Sequence, residues 1–143
     1  MSDVLVFDKA KWHSDGDFPD DLDAKQAFVH TGIFVGWIIE AGLFNEDFAD
    51  DFSDEIRRFK SRELTGPGVY RAMDGVFADD MLSEEGSAFS KAYFDFENGD
   101  FLKDYDEMLS AGLPSMYHVS DTWDNFDTLT SKIHKRYAAW QKT

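Results

Sequence analysis

The stretch AFVHTGIFVGWIIEAGLF, residues 27–44, is apolar on nearly every face of a helix and constrains the fold more than any other segment. A helix that is apolar all round must be covered by other elements. The sequence therefore predicts a helix from about Leu22 to Gly42 at the centre of the core. Asp21 or Asp23 would cap its start, and Gly42 would end it.

Two glycines of this stretch, Gly32 and Gly36, lie four residues apart, so we expect another helix or an aromatic ring to approach closely there. The stretch includes His30 and Glu40 and is shorter than the roughly 20 residues of a bilayer span. The chain begins without a basic segment or a cleavage site. We therefore expect a soluble, cytoplasmic protein with no membrane association.

Helix signals dominate the remaining chain, and strand signals are few. The predicted helices are residues 44–64 as two short helices or one broken helix capped by Asn45 and Ser53, then 65–75, 83–96 capped by Ser83, 101–112, and a last helix from Asp121 or Thr122 to about Trp140. Residues 4–7 and 116–119 are strand candidates without hairpin signals. The expected fold is mainly α: a single compact multi-helix domain over residues 1–143, with irregular connections and at most a minor β element.

The net charge of −15 disfavours binding to nucleic acid, because phosphates are repelled by an acidic surface. The same charge would attract a basic partner, although it also serves solubility. Eleven acids and one base, Lys25, lie between residues 17 and 55. Helix capping alone does not explain this concentration of acids.

The usual catalytic and metal-binding signatures are missing. The chain has no cysteine, no GxSxG elbow and no phosphate-binding loop. Asp15 and Asp17 are spaced like the first ligands of a calcium loop, but Pro19, Asp20 and Gln26 occupy the next required positions. We therefore predict no cofactor and favour a protein that is not an enzyme.

Four histidines, at positions 13, 30, 118 and 134, show no metal-ligand spacing. His30 is interpreted as a core histidine whose hydrogen bonds are satisfied. The alternative is a small enzyme, or a ligand- or metal-binding domain, with a histidine-carboxylate pocket. That pocket would bring together His13, His30, Asp104, His118 and Asp121.

Several segments together resemble one known family. They are WHSDGDFP (12–19), AFVHTGIFVGW (27–37), LSEEGSAFSKAYF (82–94), FLKDY (101–105) and YHVSDTWDNFD (117–127). The family consists of small, acidic, mainly helical bacterial proteins catalogued as a domain of unknown function. Its members occur near polymorphic-toxin and secretion-effector genes, so the resemblance implies an immunity-like role, and no catalytic residue can be carried over from it.

The resemblance also suggests that KWHSDGDFPDD, residues 11–21, is a structural entrance to the central helix rather than a metal or catalytic loop. Trp12 and Phe18 would pack against the helix, and Pro19 would set its entry angle.

The leading hypothesis is an immunity protein that occludes a basic toxin or effector domain. The acids Asp47, Asp50, Asp51, Asp54 and Glu55 would steer the partner, and Phe48 or Phe52 would anchor it. The histidine-carboxylate pocket is the alternative, and an oligomeric scaffold is a third possibility.

Overall fold

The computed structural model describes residues 4–143 and confirms the mainly α fold. The helices are α1 (Ala10–Ser14), α2 (Val29–Ala41), α3 (Glu46–Asp51), α4 (Ser53–Lys60), α5 (Gly66–Ala72), α6 (Glu84–Tyr93), α7 (Phe101–Tyr105) and α8 (Trp123–Gln141). The strands are β1 (Val6–Lys9) and β2 (Val76–Ala78). Short 3₁₀ helices span Ala24–Phe28, Asp79–Met81 and Met116–His118, and one π-helical turn spans Asp106–Ser110. Within residues 4–143, no helix is long and apolar enough to cross a membrane.

Helix α2 is the centre of the core, as its all-round apolar sequence predicted. Every residue from Val29 to Ile39 is buried. The helix ends at Gly42, whose φ of 69° is the left-handed conformation that glycine adopts most readily. Helix α5 packs most closely on α2, and α4 and α8 also contact it.

The predicted start of the central helix near Leu22 is wrong. Residues 24–28 form a 3₁₀ helix, and the α-helix begins only at Val29. Asp23 caps the 3₁₀ segment, since its side chain accepts the Lys25 N–H at 3.0 Å and its carbonyl accepts the Gln26 N–H at 3.0 Å. These local bonds tighten the chain at its entry to α2.

The two central glycines permit the close packing that the sequence predicted. A Cβ at Gly32 would lie 2.3 Å from the Cα of Pro67 in α5. A Cβ at Gly36 would lie 2.6 Å from Phe126 and 2.9 Å from Phe59, in each case from a ring carbon. Any side chain at either position would displace these neighbours.

Most of the predicted helix caps are confirmed, although some helix boundaries differ from the predicted ones. The side chains of Asn45, Ser83 and Thr122 each accept a backbone N–H at the start of α3, α6 and α8. Ser53 is the first residue of α4 rather than its cap, which is Phe52. The single helix predicted over 101–112 is instead α7 followed by the π-helical turn.

The β element is a two-stranded antiparallel pair formed by distant segments. Val6 pairs with Ala78 and Lys9 with Val76, with a register shift between Val6 and Asp8. The strand predicted at 4–7 is therefore found slightly later, and β2 was not predicted. The strand predicted at 116–119 is wrong, because the side chain and carbonyl of Ser115 accept N–H groups from Tyr117 and His118 and close a 3₁₀ turn.

Candidate metal centre

Asp8, His13 and His30 meet at the junction of β1, α1 and α2. Strand β1 continues directly into α1, so Asp8 and His13 are only five residues apart, while His30 lies in the first turn of α2. One ligand atom from each residue lies within 4.8 Å of the other two, which is close enough for all three to hold one metal ion.

The potential ligand atoms of the three side chains lie close to one another. His13 Nε2 lies 2.7 Å from Asp8 Oδ1, and His30 Nε2 lies 3.4 Å from Asp8 Oδ2. The two imidazole Nε2 atoms are 3.2 Å apart. The three groups therefore form a small cluster of potential ligand atoms, and the two imidazole rings are nearly perpendicular, at 88°.

Two hydroxyl groups contact members of this cluster through hydrogen bonds. Thr31 Oγ1 donates to Asp8 Oδ2 at 2.5 Å, and the Tyr117 hydroxyl lies 2.8 Å from His13 Nδ1. Tyr117 is fixed in turn by ring contact with Phe18 and by Gln26 Nε2, which donates to the Tyr117 carbonyl at 2.9 Å. Hydrogen bonds of this kind orient metal ligands in known sites.

The cluster is buried but reachable on one side. The Asp8 and His30 side chains are each 1% exposed, whereas His13 is 16% exposed. The Phe96 ring lies beside both imidazoles, with centroid distances of 6.1 Å to His13 and 6.0 Å to His30. Among residues 4–143, His30 Nδ1 has no hydrogen-bond partner.

The environment fixes the charge of two members. Burial alone would raise the pKa of Asp8, but hydrogen bonds from His13, His30 and Thr31 outweigh it and lower the pKa to about 2. Burial lowers the pKa of His30, and Asp8 opposes that effect only in part. Near neutral pH, Asp8 is therefore a carboxylate and His30 a neutral imidazole, which are the forms that bind metal.

The spacing of the cluster suits a small coordination sphere. With metal–ligand bonds of about 2.0–2.1 Å, tetrahedral ligand atoms lie roughly 3.3 Å apart. The separations from His30 to His13 (3.2 Å) and to Asp8 (3.4 Å) already match this value. The third separation, 2.7 Å between His13 Nε2 and Asp8 Oδ1, is shorter and involves the other carboxylate oxygen, not the Oδ2 atom that lies 3.4 Å from His30 Nε2.

The other three residues of the predicted histidine-carboxylate pocket lie elsewhere. Asp104 is fully buried and accepts hydrogen bonds from Arg136 and from the Tyr93 hydroxyl. His118 Nδ1 lies 2.8 Å from Ser115 Oγ, and Asp121 accepts from Thr65 Oγ1 at 2.8 Å. Of the predicted set, the structure brings together His13 and His30.

The predicted partner-binding residues lie on α3, α4 and the residue between them. Asp47, Asp50, Asp51 and Asp54 are exposed, and Glu55 is half-buried. Phe48 and Phe52 are half-buried and stack at 4.6 Å. Asp54 pairs with Arg57 on the same helix.

The segment 11–21 is more than an entrance to the central helix. Its first residues continue α1, and His13 from this segment is a member of the cluster. Trp12 is 52% exposed with the Lys9 ammonium near its ring, so the predicted packing of Trp12 on the central helix is wrong. Phe18 packs on Tyr117.

Sequence reasoning missed Asp8, Thr31 and Tyr117 as site residues. In a chain with 29 acids, one aspartate carries little signal by itself. The available clue was the position of Asp8 directly after the apolar run VLVF, where a buried strand would take the carboxylate into the core.

The chain belongs to the family described as a domain of unknown function, DUF7832, whose family model matches residues 6–119. The match includes all three members of the cluster as well as Thr31 and Tyr117. No curated protein and no solved structure matches the chain.

Proposed function

We propose that this protein binds one divalent transition-metal ion through Asp8, His13 and His30. The observation that supports the proposal most is the convergence of two imidazole Nε2 atoms and one carboxylate at separations of 2.7–3.4 Å.

The donor set indicates the class of metal. Imidazole nitrogens favour zinc, iron, cobalt, nickel and copper, whereas calcium and magnesium prefer sites built from oxygen ligands. Two histidines and one carboxylate also form the ligand set of some catalytic zinc and non-haem iron sites. Three protein ligands leave a coordination position for water or a substrate, which is typical of catalytic rather than structural zinc.

The test is calorimetric titration of the metal-free protein with Zn²⁺. We expect one ion per chain for the wild type. The substitution His13→Gln removes one ligand from a half-buried position and should weaken binding by roughly 100-fold or more. The matched control His134→Gln removes an exposed histidine outside the cluster and should leave the affinity unchanged.

Equal weakening by His13→Gln and His134→Gln would show that zinc binds to surface histidines in general. Equal affinities of the wild type and His13→Gln would contradict the proposal. Circular dichroism of both variants checks that the fold is retained.

A second candidate function is the binding of a basic protein partner, specifically a cytoplasmic immunity role against a toxin or effector domain. It is favoured by the exposure of Asp47, Asp50 and Asp51, none of which forms an ion pair with any residue from 4 to 143. Uncompensated exposed acids would steer such a partner at long range. The half-buried Phe48 and Phe52 could contribute only their exposed edges.

This second candidate is tested by capture of partners from lysate of the native host at low and moderate salt. A basic toxin-like protein retained by the wild type and lost with Asp50→Lys/Asp51→Lys would support it. The control Asp20→Lys/Glu107→Lys makes the same charge change at two exposed acids outside α3 and α4. Equal capture by both double variants would contradict a role for this face.

A further inference from the structure

A cavity of about 530 Å³ lies between the 3₁₀ helix at Ala24–Phe28, α5 with the loop before it, and the segment that leads into α8. Its charged lining residues are two bases, Lys25 and Arg71, and two acids, Glu63 and Asp121. The volume falls within the range of about 300–1,000 Å³ that is usual for small-molecule sites.

A ligand in this cavity can reach charges of both signs. The side chains of Lys25, Glu63, Arg71 and Asp121 are all exposed, although they line one cavity. Leu64 lines the same cavity and is half-buried, so it adds an accessible apolar surface beside the charged groups.

Hydrogen bonds between distant segments hold the walls of the cavity in place. Gln26 Nε2 donates to the Tyr117 carbonyl at 2.9 Å and to the Val119 carbonyl at 3.0 Å. Thr65 Oγ1 donates to Asp121 Oδ2 at 2.8 Å, which joins the loop before α5 to the segment before α8. Walls that are fixed before binding reduce the entropy that a ligand must lose.

The opposite charges in the cavity act on one another without forming ion pairs. Surrounding residues desolvate Asp121 and raise its pKa, whereas the Thr65 hydroxyl and the positive charges of Arg71 and Lys25 oppose that increase. Neither base forms an ion pair with any residue from 4 to 143. The bases and Asp121 are therefore near enough to interact and still leave space between them.

The balance of these charges indicates the class of ligand. An anion would be attracted by the two bases but repelled by Glu63, Asp121 and the net charge of −15. A cation would be repelled by Lys25 and Arg71. A molecule with one carboxylate and one ammonium group pairs with both signs, and a guanidinium such as that of Arg71 binds carboxylates with two parallel hydrogen bonds.

We infer that this cavity binds a small zwitterion of the amino-acid type, with one carboxylate, one ammonium group and an apolar side chain. Its carboxylate contacts Arg71 and Lys25, its ammonium group contacts the Asp121 carboxylate, and its side chain contacts Leu64. Asp8, His13 and His30 do not line the cavity, so the inference does not depend on metal binding.

Binding is tested on the metal-free protein by titrating its ¹H–¹⁵N NMR spectrum with L-leucine and two analogues. 4-Methylpentanoate lacks only the ammonium group of leucine, and 3-methylbutylamine lacks only its carboxylate. Each analogue should bind roughly 10-fold more weakly than L-leucine, because one charged contact is lost. The saturable shifts should include the amides of Gly68 and Ser120, which line the cavity.

Two variants test the two ends of the ligand separately. Lys25→Gln should weaken binding of L-leucine and 4-methylpentanoate by about 5- to 10-fold and should not weaken binding of 3-methylbutylamine. Asp121→Asn keeps an acceptor for Thr65 and should weaken binding of L-leucine and 3-methylbutylamine by a similar factor, but not binding of 4-methylpentanoate. Both positions are exposed, so the fold should be retained.

The control Lys103→Gln removes an exposed base outside the cavity and should change each affinity by less than roughly 2-fold. Binding of 4-methylpentanoate as tight as that of L-leucine would indicate a simple anion site and would overturn the inference. Equal effects of Lys25→Gln and Asp121→Asn on the two analogues, or no saturable binding of L-leucine to the wild type, would overturn it as well.

Discussion

The Nε2 atoms of His13 and His30 lie 3.2 Å apart although the residues are separated by 17 positions in the chain. The Asp8 carboxylate contacts both rings from the adjacent strand. Each of these side chains also touches a residue that orients it or covers it.

The Tyr117 hydroxyl orients His13, so Tyr117→Phe should weaken zinc binding without unfolding the protein. The expected loss is roughly 10- to 100-fold, as for other residues that hydrogen-bond a metal ligand. Competition with a chromophoric chelator measures the affinity. The matched control is Tyr105→Phe, which removes a buried hydroxyl that has no partner among residues 4–143; a loss as large for Tyr105→Phe would contradict the orienting role of Tyr117.

The hydrogen bond from Thr31 should stabilise the fold because it satisfies a buried carboxylate. Thr31→Val keeps the shape of the side chain and removes the donor to Asp8. We expect the free energy of unfolding to fall by about 1.5–3 kcal/mol, since the acceptor is charged. Urea denaturation provides the measurement.

Thr130→Val is the control for that substitution, because the Thr130 hydroxyl makes only a long bond of 3.4 Å to the Asp127 carbonyl. Thr130→Val should lower the free energy of unfolding by less than Thr31→Val does. Similar losses for the two variants would contradict a specific stabilising role for the hydrogen bond from Thr31 to Asp8.

Asp104 has a structural role as the partner of Arg136. The Arg136 guanidinium donates two hydrogen bonds to the fully buried Asp104 carboxylate, at 3.0 and 2.8 Å. Arg136→Met would leave that charge unpaired and should cost about 3–5 kcal/mol of unfolding free energy. Adding Asp104→Asn removes the charge and keeps an acceptor for Tyr93, so the double variant should be more stable than Arg136→Met alone. Thermal unfolding of both variants compares them, and the reverse order would count against this explanation.

Tyr137 should make the stability of the fold decrease at alkaline pH. Burial and the Glu85 carboxylate raise the pKa of Tyr137 to about 12, from an ordinary value of 10.0. A raised pKa means that the unfolded chain loses this proton first. The stabilisation by the protonated hydroxyl is therefore complete below pH 10 and is lost as the pH rises through about 12.

Urea unfolding at several pH values measures this loss. The wild type should have a higher free energy of unfolding than Tyr137→Phe, and the difference should become smaller as the pH rises. The difference should be constant up to about pH 9 and should decrease between pH 10 and pH 12. A difference that does not vary with pH would show that Tyr137 does not retain its proton in the folded protein.

Much of the fold follows from local sequence patterns. The all-round apolar stretch predicted the buried α2, and Gly32 and Gly36 predicted the close approaches of Pro67 and of two phenylalanine rings. Side-chain caps such as Asn45 and Thr122 are also local features, so they could be predicted directly.

The remaining features depend on contacts between distant segments. β2 pairs with β1 across about 70 residues and has no turn signal to indicate its partner. The 3₁₀ turn at 116–118 depends on Ser115, whose side chain competes with an extended conformation.

The candidate site was predictable only in part for the same reason. His13 and His30 could be grouped as a histidine pair, but the sequence offered no way to choose Asp8 over Asp104 or Asp121. That choice is made by the position of β1 in the fold, which places the Asp8 carboxylate against Thr31 and both imidazoles.

The central claim is that Asp8, His13 and His30 hold one metal ion, and the most direct measurement is a crystal structure of the protein grown with zinc. Anomalous diffraction at the zinc edge should show one peak about 2.0–2.2 Å from His13 Nε2, His30 Nε2 and an Asp8 carboxylate oxygen. The Tyr117 hydroxyl should remain on His13 Nδ1. An Asp8 carboxylate that is still hydrogen-bonded to both imidazoles, with zinc peaks only at surface residues, would contradict the claim.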